Sequence, residues 1–462
     1  MWGFTWPEIA EIVDGQLENG ETSSVPTGAS HDTRHLKKGD LFFAFSGEKT
    51  DGHNFLSKAY EKGAAGAVVT RRPQNFIHRD FPLILVKDPL TAIGQLAMAQ
   101  RQRFAHPVIA ITGSVGKTTT KEIMAALLAV KGPVLKTWEN YNNEIGVPLT
   151  ILSLKPEHRF LILEMGMRAL GEIDYLCQIS QPDYGIITNL GYTHAELLGS
   201  LEKIAEAKAE LLVYPPQSGK LALPIENRDL LLPWLPKASC SLSWFGITAE
   251  GDFRARQIIP REKGFTFTLE EQDQIKVPLE ISLWGKHNVI NALGPIIIAR
   301  ALGLSFSEIQ SGLQQVTLPT GRLCLKNNLK ENIQIIDDTY NANPDSAAAA
   351  LEVLKQVAGT KRALAVLGSM NELGTYSEQG HFFVGQLVKK MDIAYLITVG
   401  ELGPLIAEGA RLAGMSEKKI EVCTTNEAAL NKLAEIKRPG DVILVKGSRG
   451  VGMEEIVVGL MA

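Results

Sequence analysis

The sequence predicts an α/β fold in three domains, and three observations carry that prediction. Apolar runs without alternation, such as Phe160-Leu-Ile-Leu-Glu164 and Val442-Ile-Leu-Val445, recur between helical stretches, as in parallel sheets covered on both faces. One such run, Pro107-Val-Ile-Ala-Ile111, feeds a glycine-bearing turn and then an amphipathic stretch. Between Asp252 and Ser282 the texture changes to alternation, the mark of an antiparallel hairpin region. At 462 residues the chain has room for several domains, each with a sizeable core.

Residues 1–86 mix short strand and turn signals and close on Gly66-Ala-Val-Val-Thr70 and Leu83-Ile-Leu-Val86, a small α/β domain. Residues 87–319 open on a helical stretch, Leu90 to Phe104, that leads to the glycine turn. Phe160–Glu164 and Tyr184–Thr188 continue a central, mostly parallel sheet with helices on both faces. Phe265-Thr-Phe-Thr-Leu269 and Ile275-Lys-Val-Pro-Leu279 follow as hairpin strands, with Pro278 best placed on an edge. A helical segment from about His287 to Leu302 precedes Thr320-Gly-Arg322, a plausible hinge. In residues 320–462 the runs Ile333–Asp337, Ala363–Leu367, Ile393–Val399 and Val442–Val445 alternate with helical stretches, a Rossmann-like α/β pattern.

With 45% hydrophobic and 21% charged residues the composition is that of an ordinary globular protein. A net charge of -4 leaves no basic footprint, so nucleic acid is not an expected partner. Cys177, Cys240, Cys324 and Cys423 show no CxxC spacing and read as reduced thiols, not as a disulfide frame or zinc site. The N-terminus has no basic region ahead of an apolar one. The longest apolar stretch, Val289 to Leu304, is broken by Asn291, Gly294, Pro295 and Arg300. No membrane insertion and a cytoplasmic location are therefore expected.

The chemistry concentrates at strand ends. In Thr112-Gly-Ser-Val-Gly-Lys-Thr-Thr-Thr120, backbone N–H groups at a helix start can receive a polyphosphate. Gly113, Ser114, Val115, Gly116, Lys117, Thr118 and Thr119 are the candidate nucleotide contacts. Lys117 would lie against the β/γ-phosphates, and the Thr118 hydroxyl could ligate Mg²⁺. The strict GxxxxGK[ST] pattern is broken, because its first glycine falls at Ile111. Glu164, at the end of its apolar strand, could join Thr118 on the metal or be a solvated strand-end carboxylate. His194, just past the next strand, opens on the same crevice or is structural. Lys208 shares a helix face with Leu201, Ile204, Leu211 and Leu212, opposite Glu202, Glu206 and Glu210. Spacing alone favours snorkelling; burial would instead leave a nucleophilic amine able to take up CO₂ as a carbamate. Asp337-Asp-Thr-Tyr-Asn-Ala-Asn-Pro-Asp-Ser346 suits a ribose or base edge, or simply a turn. Lys446-Gly-Ser-Arg449 is a cationic turn suited to an anion, or an exposed loop.

Taken together, these pieces resemble the Mur ligases of bacterial peptidoglycan synthesis over essentially the whole chain. Asn140-Tyr-Asn-Asn-Glu-Ile-Gly-Val-Pro-Leu-Thr150, Asp338–Ser346, Leu367-Gly-Ser-Met-Asn-Glu-Leu-Gly374 and Val445–Arg449 are similar to the D-alanyl-D-alanine-adding branch. Ser30-His-Asp-Thr-Arg34, Gly39–Ala44 and Asp51-Gly-His-Asn-Phe55 resemble the family's UDP-sugar-binding domain. The resemblance implies a UDP-substrate domain, a central ATP-binding domain and a C-terminal ligase domain. It implies ATP-dependent ligation of D-alanyl-D-alanine to a UDP-MurNAc-tripeptide through an acyl phosphate, by a monomer. It further implies two Mg²⁺ ions, one on Thr118 and Glu164 and a second on His194, with Lys208 carbamylated. Asn288 and Asn291 would pack on adenine, Arg322 would reach the phosphates, and Asp338, Asn341 and Asn343 would face the ribose. Ser30, Asp32, Thr33, Arg34, Ser46, Gly47, Asn142, Asn143, Lys446 and Arg449 become the candidate substrate contacts. Lys117, Lys208, His194 and Arg322 become the catalytic candidates. Competing readings are a sister amide ligase (amino-acid-adding, or a folylpolyglutamate synthetase), a non-catalytic nucleotide switch, and a P-loop kinase.

Overall fold

Each of the three stretches folds around its own sheet. The computed structural model describes residues 3–19, 25–47, 50–73, 76, 78, 80–191, 199–248, 251–272 and 274–462. The first sheet holds β1 (Gln16–Glu18), β2 (Gly28–Ser30), β3 (Asp40–Phe43), β4 (Gly66–Val69) and β5 (Leu83–Leu85), in the order β1-β5-β4-β3-β2. Only β1 runs antiparallel to its neighbour. The helix Trp6–Ile12, opened by a Thr5/Glu8 capping box, buries Trp6 and Ile9 in the core beneath.

The central sheet holds β6 (Val108–Thr112), β7 (Val134–Lys136), β8 (Phe160–Glu164), β9 (Tyr184–Ile187), β10 (Lys220–Pro224), β11 (Ser241–Gly246), β12 (Phe253–Arg261), β13 (Gly264–Glu271) and β14 (Ile275–Ile281). Its order is β14-β13-β12-β11-β10-β9-β6-β8-β7, parallel from β7 to β12 and antiparallel across β12, β13 and β14. Pro278 lies on the edge strand β14, where its missing N–H disrupts no further pairing. The period of two divides the apolar strands between two layers. Val108, Ala110, Leu161 and Leu163 pack with helices Pro89–Gln102, Gly146–Leu152 and Glu172–Ser180. Ile109, Ile111, Ile162 and Ile186 pack with helices Lys117–Ala129 and Lys286–Ala301 on the other face. The first layer also takes in Trp6, Leu41 and Phe43, so one apolar layer is continuous from the first sheet into the second.

The third sheet holds β15 (Cys324–Asn328), β16 (Ile333–Asp338), β17 (Ala363–Gly368), β18 (Tyr395–Val399), β19 (Ile420–Cys423) and β20 (Val442–Lys446), in the order β15-β16-β20-β17-β18-β19. All its pairings but β15–β16 are parallel. The loops that leave β16, β17 and β20 are knitted together. Asn371 N–H donates to Ser448 Oγ at 2.8 Å, and Ser448 N–H donates to Ser369 O at 3.0 Å. Among the described residues no helix is long and apolar enough to cross a membrane.

Candidate active site

The loop after β6 needs its glycines for reasons internal to the protein. Gly113 and Gly116 have φ of +147° and +81°, where L side chains are strained. A Cβ at Gly113 would lie 1.8 Å from Thr188 Oγ1, and one at Gly116 would lie 2.5 Å from Asn291 Oδ1. The segment after β9 braces the same loop. Ser114 N–H donates to Asn189 O (3.1 Å), Val115 N–H to Asn189 Oδ1 (2.9 Å), and Thr188 Oγ1 to Val115 O (2.6 Å). Ser114 Oγ donates to Gly191 O and accepts from Gly191 N–H, both at 2.9 Å. The amides of Ser114 and Val115, expected to face a phosphate, thus serve as loop braces here. The helix Lys117–Ala129 begins at Gly116 without a capping side chain, leaving its first N–H groups and its dipole directed at whatever lies ahead.

Three groups surround that helix start. Lys117 Nζ folds back onto Gly113 O (2.7 Å) and Ser114 O (3.2 Å). Burial lowers its pKa, with Glu164 opposing that shift and Arg322 adding to it. Glu164, 3% exposed, ends β8 and pairs in register with Ile111 of β6. Its Oε1 accepts from Asn142 Nδ2 at 2.9 Å, while its buried Oε2 has no hydrogen-bond donor among the described residues. Thr118 is buried on the first turn of the helix.

Lys208 does not snorkel. It is 2% exposed at the end of helix Leu201–Ala209, which Ser200 caps, and shares a layer with Ile204, Ala205, Leu211 and Leu212. No acceptor or carboxylate among the described residues pairs with it. Burial pushes its pKa far down, and the neighbouring Lys117 charge pushes the same way. Both effects disfavour the charged form of this amine beside the nucleotide loop. His194 lies outside the described residues.

From the C-terminal side, Arg322 stacks 4.1 Å above the Tyr340 ring, and Arg449 lies 5.7 Å from the same ring. Burial raises the Tyr340 phenol pKa; Arg322 opposes this, and the Glu164 and Glu139 carboxylates that Tyr340 faces add to it. Tyr340 escaped the sequence reading, although an aromatic residue amid Asp and Asn was a visible anomaly. Several side chains read as ligand contacts in this region have partners within the protein. Lys446 is no free cation: it is 3% exposed and donates to Asp338 Oδ2 at 2.6 Å and Asn341 O at 2.9 Å. Asp338 spends its other oxygen on Leu323 N–H (3.2 Å), so the pair holds the loop together. The Asn343 side chain caps helix Pro344–Ala358, accepting from Ser346 N–H at 2.8 Å. Asn341 Oδ1 accepts from Ala342 N–H on an exposed turn. Asn288 and Asn291 form a chain, Asn291 Nδ2 to Asn288 Oδ1 and Asn288 Nδ2 to Trp284 O, that ends at Gly116.

The N-terminal candidates reach the site through one segment. Ser30 Oγ accepts from Asp32 N–H, and Arg34 holds the Asp32 carboxyl down at about 2. Thr33 is buried, while Ser46 donates to Asp51 and Gly47 N–H donates to Thr50 O. His31 meets Tyr141 edge-on at 5.9 Å, and His35 meets Trp138 at 5.7 Å. Tyr141 adjoins Asn142, whose amide holds Glu164, and Asn143 Oδ1 accepts from Gly146 N–H at 3.0 Å. The first sheet's loop thus reaches the 137–142 segment that seats Glu164, and Tyr340 from the third sheet faces that carboxylate. Another residue missed in the sequence, Lys121, underlies this point: it is 1% exposed, with Nζ 2.8 Å from Thr137 O and 3.5 Å from Glu164 Oε2.

Among the described residues no three His, Cys, Asp or Glu side chains cluster as a ready-made metal site. A cation here would rest on Glu164 Oε2, the orphaned acceptor, with a hydroxyl for company, a donor set that suits Mg²⁺.

The chain is similar to known proteins over nearly its whole length. The catalytic domain of the Mur ligase family matches residues 27–101, the Mur ligase middle domain residues 111–299, and the Mur ligase, glutamate ligase domain residues 321–449. The chain is 37% identical to the UDP-N-acetylmuramoyl-tripeptide–D-alanyl-D-alanine ligase of Bacillus subtilis, covering 99% of this chain and 98% of that one. It superposes on the crystal structure of MurF from Acinetobacter baumannii with a TM-score of 0.86 and 31% identity, over 99% and 98% of the two chains. The MurF ligase from Thermotoga maritima in complex with ADP gives 0.79 and 27%, over 95% and 98%.

Proposed function

The chain belongs to the Mur ligase family, and on that premise we propose that it joins D-alanyl-D-alanine to a UDP-N-acetylmuramoyl-tripeptide at the expense of ATP. The tripeptide carboxylate attacks the γ-phosphorus of ATP, giving an acyl phosphate and ADP. The dipeptide amine then adds to that carbonyl and loses a proton, and the tetrahedral intermediate expels phosphate to leave an amide. Carboxylate and triphosphate repel, so the work of the site is to offset charge and align groups. Lys117, released from the carbonyls of its own loop, and the open helix start would receive the β/γ-phosphates. Arg322, held by Tyr340, would reach them from the C-terminal domain. Thr118 and Glu164 would hold one Mg²⁺, and Lys208, once its amine has taken up CO₂ and released a proton, would hold a second with His194; these ions supply positive charge against the phosphates. Asn288 and Asn291, in the chain that ends beside Gly116, would pack on the adenine, and Asp338, Asn341 and Asn343 would face the ribose.

We assign residues 1–86 to UDP-sugar binding, 87–319 to ATP binding and 320–462 to ligation, working as a monomer in the cytoplasm. The N-terminal contacts are then Ser30, Asp32, Thr33, Arg34, Ser46 and Gly47, with Asn142, Asn143 and Arg449 nearer the reacting carbonyl. The single observation behind this reading is the seat of Glu164: the 137–142 segment that fixes it meets the N-terminal histidines, and Tyr340 of the third domain faces it. The test is ADP release measured with and without each substrate. Release should require both the UDP-muramoyl-tripeptide and D-alanyl-D-alanine; release with free amino acids instead of the dipeptide would favour a sister amide ligase. Lys117→Ala should cut turnover by about 10²–10³-fold while leaving calorimetric binding of the UDP substrate intact.

A further inference from the structure

Lys121 is a buried cation that the mechanism above does not use. It lies one turn beyond Lys117 in the same helix and is 1% exposed. Its ammonium donates to Thr137 O at 2.8 Å and lies 3.4 Å from Glu139 O. Two carboxylates complete the surroundings, Glu122 Oε1 at 3.6 Å and Glu164 Oε2 at 3.5 Å. Glu122 is shared with Lys136, whereas Glu164 Oε2 has no hydrogen bond and Lys121 is the cation within ion-pair distance of it. Thr137 grips both partners, since its carbonyl takes the Lys121 ammonium and its Oγ1 accepts Glu164 N–H at 2.9 Å.

We propose that Lys121 is a positioning residue that holds Glu164 as an ion pair and thereby keeps divalent-cation affinity low until a polyphosphate arrives. This rests on the reading of Glu164 as a metal ligand. A divalent ion on Oε2 must share that oxygen's field with a fixed ammonium, and like charges repel strongly in a water-poor interior. The negative charge of the nucleotide offsets the repulsion, so metal and nucleotide enter together. The ammonium also ties the phosphate-loop helix to the 137–142 segment, which fixes Glu164 through Asn142.

The test is Mn²⁺ binding to the full-length, nucleotide-free protein, followed by the electron-paramagnetic resonance of free Mn²⁺. Lys121→Gln removes the charge but keeps an N–H donor for Thr137 O, and Lys121→Met removes both. Lys121→Gln should bind Mn²⁺ at least about tenfold more tightly than the wild type, and Lys121→Arg should stay within about threefold. A residue that only packed the helix would leave Lys121→Gln unchanged or weaker, and either result overturns the proposal. If Lys121→Met does not fold, Lys121→Gln decides alone. Glu164→Gln separates the two layers of argument: if it leaves Mn²⁺ affinity with ATP unchanged, the Glu164 reading fails. If it weakens that affinity while Lys121→Gln does not tighten nucleotide-free binding, only the role of Lys121 fails.

Discussion

Two buried lysines of this chain are alike in exposure and opposite in company. Lys446, 3% exposed, sits between a carboxylate and a backbone carbonyl; Lys208, 2% exposed, has no such partner among the described residues and has Lys117 as a like-charged neighbour. Burial alone therefore says little about what a lysine does. The first is a tie between two strand ends, β16 and β20; the second is the amine we propose to carry the carbamate.

The sharpest way to break this contrast is Lys208→Ala. It should lower ligation by about 10²–10³-fold, with partial recovery in the presence of formate or acetate as carboxylate substitutes. An unimpaired variant would make Lys208 merely structural and erase the distinction. Lys446→Met should act on stability first, lowering the free energy of urea unfolding by about 3–5 kcal/mol as the Asp338 charge is left buried and unpaired. The opposite sign is expected at Lys208. Between its depressed folded value and the ~10.4 of a free lysine, the unfolded chain binds the proton and the folded chain does not. That site thus destabilises the fold progressively as pH falls through this window. In CO₂-depleted buffer, Lys208→Met should be more stable than the wild type at pH 7 by about 1–3 kcal/mol, with a flatter stability profile up to pH 10. The smallest effect belongs to the cap: Asn343→Ala should cost about 1 kcal/mol of stability. A large rise in the KM for ATP in that variant would show that Asn343 also serves the ribose.

The parallel strands were legible because a strand covered on both faces must be apolar along its run, and β8, β9, β17 and β20 are, save for the terminal Glu164 and Lys446. Strands β10 and β11 were not anticipated: Lys220-Leu-Ala-Leu-Pro224 ends in proline, and Ser241-Leu-Ser-Trp-Phe-Gly246 alternates with serine, so neither shows that run. The nucleotide loop was legible because a glycine turn between strand and helix is a local motif. Partners across the fold were not. No spacing tells that Lys446 meets Asp338, 108 positions earlier, or that Lys121 lies under Glu164. Asn343 and Lys446 had the right letters for ligand binding, but the loop's own need for a cap and a counter-charge claims their side chains in this structure. Tyr340 and Lys121 were passed over for a related reason, because their importance comes from neighbours supplied by other segments.

The stretch from Thr137 to Asn142 faces two ways, with Trp138 and Tyr141 against the histidines of the N-terminal domain and Thr137 and Asn142 against the charged pair below. Any occupant of the first sheet's loops that shifts those rings also shifts the Asn142 amide that seats Glu164 and the Thr137 carbonyl that seats Lys121. Linkage makes the exchange reciprocal: whatever factor the sugar-bearing molecule contributes to nucleotide affinity, the nucleotide must return to it in full. A thermodynamic cycle closed over the two ligands would read that factor directly, without a single turnover.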